Sequence, residues 1–163
     1  MQVVKPSPVA RVDADDETLA VHSHLPLLIT GDCGRAVSAV ATRVHSTKFN
    51  GASSMAQAGA GAFPIEAQHL LRHCSMLLDA GSGGSIFITD VEQLPRKVQD
   101  VLMGVLTSLR AGSRRAPPVR LMTGTTVSLR ECVDRGVFSE ELFYRLNAIH
   151  LVVEPEAVTT LAT

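Results

Sequence analysis

The sequence predicts an α/β protein, a three-layer sandwich in which helices cover both faces of a mostly parallel sheet. Two observations predict it. Short apolar runs closed by Gly, Pro or polar residues recur along the chain, and stretches with helical spacing of apolar residues separate them. With 163 residues, 45% hydrophobic and 19% charged, the chain can bury one sizeable core and does not have a disordered composition.

Residues 1–24, with Pro6, Pro8 and the acidic run from Asp13 to Glu17, read as a loosely ordered lead-in with room for a short helix over Glu17 to Val21. Residues 25–155 read as one domain and 156–163 as a tail. Leu27-Leu28-Ile29-Thr30 is a buried strand ending at Gly31. Gly31-Asp32-Cys33-Gly34 is a turn, and a helix follows to about His45 with Val37, Val40, Ala41 and Val44 on one face. Ser46 to Ala62, rich in Gly, Ala and Ser, reads as a flexible loop. Pro64 and Glu66 open a second helix carrying Leu70, Leu71, Cys74, Leu77 and Leu78, which Gly81 to Gly84 breaks. Ser85 to Thr89 is a second strand. Pro95 then stands at a helix start, followed by the clearest stripe in the chain: Val98, Val101, Leu102, Val105, Leu106 and Leu109. Gly112 to Pro118 is a polar loop and Val119 to Thr123 a third strand. Short helices at Leu129 to Asp134, ending at Gly136, and at Glu140 to Leu146 lead to a fourth strand, Ile149 to Val153.

Fifteen basic and 16 acidic residues give a net charge of -1, so nothing pulls the whole chain toward nucleic acid or an anionic membrane. Direct DNA binding is not expected. No stretch reaches the roughly 20 apolar residues that span a bilayer. Cys33, Cys74 and Cys132 are an odd, scattered set, which suits a reducing cytoplasm rather than a disulfide framework.

In a parallel sheet, ligands bind beyond the carboxyl ends of the strands. The segment Gly31 to Ser38, G-D-C-G-R-A-V-S, occupies that place after the first strand. A turn feeding a helix offers N–H groups and a positive dipole end to phosphate. A working phosphate loop reads G-x-x-x-x-G-K-[ST]; here Ala36 stands for the second Gly and Val37 for the Lys. The segment therefore has two readings, a structural turn and a phosphate site. Arg35 is either a substitute cation or a solvated side chain.

Four segments in order resemble the central AAA+ domain of sigma-54-dependent transcription activators. Gly31 to Ser38 with Ala41-Thr42-Arg43-Val44-His45 is similar to that family's G-E-S-G-T-G-K-E and A-x-x-I-H. Gly83-Gly84-Ser85-Ile86-Phe87-Ile88-Thr89-Asp90-Val91-Glu92-Gln93-Leu94-Pro95 is similar to G-G-T-L-F-L-D-E-I-x-x-L-P. Val119 to Thr126 is similar to V-R-I-I-A-A-T-N, and Gly136 to Asn147 to G-R-F-R-E-D-L-Y-Y-R-L-N, the most specific of the four. Together they cover about Leu27 to Val153. The resemblance implies a P-loop NTPase core, here without the helical lid, and sigma-54 RNA polymerase or related AAA+ subunits as partners.

The departures fall where phosphoryl transfer needs charge. Val37 stands for the phosphate-binding Lys, Thr89 for the Asp that organises magnesium, and Asp90 for the Glu that prepares water. Thr126 replaces the Asn that senses the γ-phosphate. Ser139 takes the place of the first of two arginines offered to a neighbour, and Arg145 keeps the second. Arg145 also reads as one half of an ion pair with Glu141. Half of the family's G-A-F-T-G-A loop is echoed in Gly61-Ala62-Phe63, within a shortened interval.

The resemblance thus implies a transcription-regulatory AAA+ domain that binds ATP or ADP with weak or no hydrolysis. Gly31, Asp32, Cys33, Gly34, Arg35, Ala36, Val37 and Ser38 are its nucleotide loop, and Asp90 and Arg145 what remains of its catalytic set. Mg2+ loses its acidic organiser at Thr89. The alternative is a pseudo-ATPase module that binds no nucleotide and acts through protein partners; a third reading is a decaying product with no activity. His69 and His73, beside Cys74, have zinc-compatible spacing without further ligands and read as a surface pair. His22 and His24 read as solvent-facing, and Arg110, Arg114, Arg115 and Arg120 as a solvated connector or an anion-facing group. No Ser/His/Asp or Cys/His arrangement supports nucleophilic catalysis.

Overall fold

The computed structural model of the protein describes residues 10–49, 55–60, 69, 83–110 and 119–155. Within them lie strands β1 (Leu27–Thr30), β2 (Met55–Gly59), β3 (Gly84–Thr89), β4 (Val119–Thr125) and β5 (Ile149–Val152). The helices are α1 (Ala14–His22), α2 (Gly34–Phe49), α3 (Arg96–Arg110), α4 (Leu129–Asp134) and α5 (Glu140–Leu146), with a 3-10 turn at Val91–Gln93. The strands form one sheet in the order β2-β3-β4-β1-β5, and every neighbouring pair is parallel.

Side chains alternate across a strand, so each strand feeds two cores. Leu27, Ile29, Phe87, Met122 and Leu151 pack with Val40, Ala41 and Val44 of α2 on one face. Leu28, Ile86, Ile88 and Leu121 pack with Val98, Leu102 and Val105 of α3 and Leu142 and Leu146 of α5 on the other. Each of these Val, Leu, Ile, Phe and Met side chains, taken out of water, contributes about 1.5–3 kcal/mol. This is the three-layer sandwich that the alternation of runs and stripes predicts.

The helix starts follow local chemistry. Ser139 caps α5 by accepting from Leu142 N–H at 3.3 Å, and Ser128 caps α4 by accepting from Glu131 N–H at 3.3 Å. Gln99 joins the starts of α3 and α5: its amide donates to Leu94 O at 2.9 Å and Val137 O at 3.1 Å, and its Oε1 accepts from Ser139 N–H at 2.9 Å. Gly136, at φ 74, makes the turn that closes α4.

Three expectations need correction. The loop expected over Ser46 to Ala62 contains a fifth strand, β2, paired in parallel with β3 from Met55↔Ser85 to Gly59↔Thr89. Its sequence, M-A-Q-A-G, has little β-propensity, so pairing with a buried neighbour decides its conformation. The lead-in carries a full helix, α1, capped by Asp13, whose carboxylate accepts from Asp15 and Asp16 N–H at 3.0 and 3.1 Å. Its acidic first turn suits the helix dipole. The helix is tied down: Arg43 pairs with both Glu17 oxygens at 2.5 and 3.0 Å and donates to Ala10 O at 2.9 Å. Finally, Arg120 is no solvated connector but is buried at 1% exposure. The loop Gly112 to Pro118 and the second helix lie outside the described residues, except that His69 is helical and exposed. Among the described residues Cys33 is an exposed and Cys132 a buried free thiol.

Candidate functional site

Three strands deliver the residues singled out in the sequence to the carboxyl edge of the sheet. β1 ends at Thr30, and only Gly31, Asp32 and Cys33 separate it from α2. Gly31 N–H donates to Thr125 O at 3.3 Å, anchoring the turn to β4, and Val37 N–H donates to Cys33 O at 3.1 Å, the first helical bond. Asp32, Cys33, Gly34 and Arg35 are exposed, while Ala36 and Ser38 are half-buried.

Val37 points the other way. It is 2% exposed and packs in the α2-side core. A Cβ on Gly124 would meet Val37 Cγ1 at 2.6 Å, and one on Gly31 would meet Val37 Cγ2 at 3.2 Å. The valine therefore occupies space that two glycines leave open. A buried isopropyl group can neither neutralise phosphate nor donate a hydrogen bond. Around Gly34 nothing lies within 4 Å of a Cβ position, so the start of α2 is open to an approaching group.

β3 delivers Thr89 and Asp90. Thr89 Oγ1 donates to Ala58 O of the edge strand at 3.5 Å. Asp90 holds the left-handed conformation at φ 52, ψ 44, which Asp tolerates better than most residues. Because β4 lies between β3 and β1, Asp90 and the glycine turn are two strand spacings apart, roughly 10 Å. β4 delivers Thr125, whose hydroxyl donates to Glu92 Oε2 at 2.7 Å and accepts from Val127 N–H at 3.1 Å. Glu92 was not singled out in the sequence; it falls on a variable position of the D-E-I-x-x-L-P pattern, and no spacing rule marks it. Thr126 is exposed.

The arginine positions sit apart from the loop. Ser139 is the cap of α5. Arg145 lies on α5, 3.6 Å from Glu141 Oε1 and 3.3 Å from Thr107 Oγ1 of α3. The expected ion pair is present. Arg35 is exposed in the first turn of α2.

A cavity of about 530 Å³ opens beside the loop, lined by Thr30, Gly31, Asp32, Arg130, Asn147 and His150 among others, but not by Val37, Ser38 or Asp90. His150 is exposed on its strand, meets Thr30 Oγ1 at 2.8 Å, and partial desolvation by its surroundings holds its imidazole below the usual histidine range. Among the described residues no three His, Cys, Asp or Glu side chains come together as a metal site, and no helix is long and apolar enough to cross a membrane.

A parallel sheet in this order, with a glycine turn running from the inner strand β1 into a helix, defines a P-loop NTPase core of the AAA+ kind. The family described as the Sigma-54 interaction domain matches residues 5–152, and the chain belongs to it. The chain is 30% identical to the Sigma54-dependent transcriptional activator SfnR of Pseudomonas putida, over 90% of this chain and 47% of that protein. It is 29% identical to the acetoin catabolism regulatory protein of Cupriavidus necator, over 94% of this chain and 27% of that one. The chain thus spans about half the length, or less, of these relatives. Among solved structures, NtrX from Brucella abortus in complex with ATP superposes with a TM-score of 0.65 at 20% identity, covering 94% of this chain and 37% of that one. The P-loop NTPase domain of an E. coli sigma-54 transport activator superposes with a TM-score of 0.60 at 20% identity, covering 80% of this chain and 97% of that one.

Proposed function

We propose that this Sigma-54 interaction domain regulates transcription through protein contacts, with sigma-54 RNA polymerase or related AAA+ subunits as partners, and without hydrolysing ATP. One observation carries the reading: Val37 is packed into the core where the family presents its phosphate-binding Lys. The family pattern places Ala at the position of Gly124, and here glycine makes room for the branched valine. The buried branched side chain gained at Val37 and the methyl absent at Gly124 offset each other in volume. A decaying sequence has no reason to keep that match. Thr89 in place of the acid that organises Mg2+ points the same way, as does the capping role of Ser139.

A second reading is supported by the open start of α2 at Gly34: ATP or ADP binds there without turnover, on the N–H groups of Gly31 to Ser38. The fold is shared with NtrX, which has been solved with ATP. In that case Asp90 and Arg145 are remnants rather than working groups. The two readings separate in one calorimetric titration with ATP and ADP in the presence of Mg2+. Heat that saturates at millimolar nucleotide, without phosphate release, selects the second; no heat selects the first. Phosphate release that disappears in Asp90→Asn overturns both.

A further inference from the structure

At the opposite end of the sheet from the glycine turn, two cations converge on one carbonyl. Arg120 opens β4, and its Nη1 donates to Ala20 O and Ser23 O at the carboxyl end of α1. Lys48, near the end of α2, donates from Nζ to Val21 O at 3.1 Å and to the same Ser23 O at 2.8 Å. The carboxyl end of a helix attracts positive charge, which accounts for one cation there. It does not account for two within reach of one oxygen, with His24 beside them. Among the described residues no carboxylate pairs with Lys48 or Arg120.

The unmet hydrogen bonds have a specific shape. Arg120 is 1% exposed, and its Nε and Nη2 are buried with no partner. These two nitrogens form the side-on fork of a guanidinium, the edge whose parallel N–H groups match two oxygens of a carboxylate or phosphate. Leaving buried charged donors unpaired is costly, and like charges this close repel. Both penalties are relieved by one ligand, an anion with two coplanar oxygens. The shared acceptor, Ser23 O, is followed in the chain by the exposed residues His24 and Leu25.

We propose that the Nε–Nη2 fork of Arg120 binds a small oxyanion of the carboxylate or phosphate class, in the positive field to which Lys48 also contributes. Such an anion reinforces the docking of α1, because it neutralises the two cations that hold the helix by its last carbonyls. The site is separate from the glycine turn and does not depend on whether a nucleotide binds there.

The test is NMR of the ¹⁵N-labelled protein, following the Arg120 Nε–H resonance through titrations with sodium phosphate, sodium acetate and sodium chloride at matched ionic strength. The expected result is a saturable shift with phosphate or acetate and none with chloride; whichever saturates at lower concentration names the class. Lys48→Gln, which removes a nearby positive charge, should weaken the apparent affinity by a few-fold. Arg120→Lys, which keeps the charge and loses the fork, should abolish saturation in the neighbouring backbone amides. Equal shifts with chloride, shifts that never saturate, or an affinity unchanged in Lys48→Gln would each overturn the proposal, whether or not Arg120→Lys folds.

Discussion

Val37 and Gly124 share one volume: a methyl group on Gly124 would stand 2.6 Å from Val37 Cγ1 and 3.1 Å from the ring of Phe87. Gly124→Ala, a substitution toward the family pattern, should therefore destabilise the domain by about 1–3 kcal/mol through overpacking. Urea unfolding measures it. Combined with Val37→Ala, the loss should shrink, giving a coupling of roughly 0.5–3 kcal/mol in a double-mutant cycle. Strictly additive costs would mean that the two side chains do not compete for space.

Gln99 and Arg145 make opposite predictions on one face of the sheet. Gln99→Leu leaves Leu94 O, Val137 O and Ser139 N–H without their partner, in a site where Gln99 is 1% exposed. A loss of about 3 kcal/mol is expected, since buried backbone groups then lie unpaired. Arg145→Ala removes an exposed ion pair at 3.6 Å and should cost no more than about 0.5 kcal/mol. Chemical denaturation of both variants decides it; a large loss at Arg145 would give that residue a structural weight that its contacts do not.

Stability should fall as the solution is acidified from neutrality. Partial desolvation lowers the His150 pKa from 6.5, so the unfolded chain takes up its proton first as pH falls. The stability contributed by neutral His150 is complete above pH 6.5 and is lost below it, toward the lower folded value. His24 is shifted in the same direction, first by burial and then by Lys48 and Arg120. Urea midpoints between pH 7 and pH 5 should drop, with a shallower slope in His150→Gln. An identical slope in that variant would remove His150 as a cause.

α1 should be the first helix to open. Ala20 is its one buried residue, and charge-assisted bonds from Arg43, Lys48 and Arg120 hold it. Glu17→Ala should raise amide exchange along Ala14 to His22 while leaving β1 and β4 protected. High salt should act in the same direction, as screening weakens the half-exposed Glu17–Arg43 pair. Equal exchange in β4 would mean that α1 unfolds only with the whole domain.

The order of the sequence exposed most of the sheet, because β1, β3, β4 and β5 are bulky apolar runs whose burial is written in composition. β2 was hidden, since Ala56, Ala58 and Gly59 carry no such signal and pair only because β3 offers an edge. α1 is longer than its sequence suggests because its hold is electrostatic and long-range, Glu17 meeting Arg43 and Arg120 meeting Ala20. In the site, the departure at Val37 was readable from spacing. Its inward direction was not, because that depends on Gly124, far away in sequence and adjacent only in the sheet. Glu92 reached Thr125 by the same non-local route.

β1 has a late welcome. Leu27 pairs with Met122 on one side and with Ile149 on the other, so both partners of β1 are synthesised well after it. During synthesis its apolar residues stay unpaired until β4 has emerged, and its second edge closes only after β5 follows. Contacts this distant slow folding and leave a nascent strand open to wrong partners. The centre of the sheet is thus built from its most distant contacts in sequence.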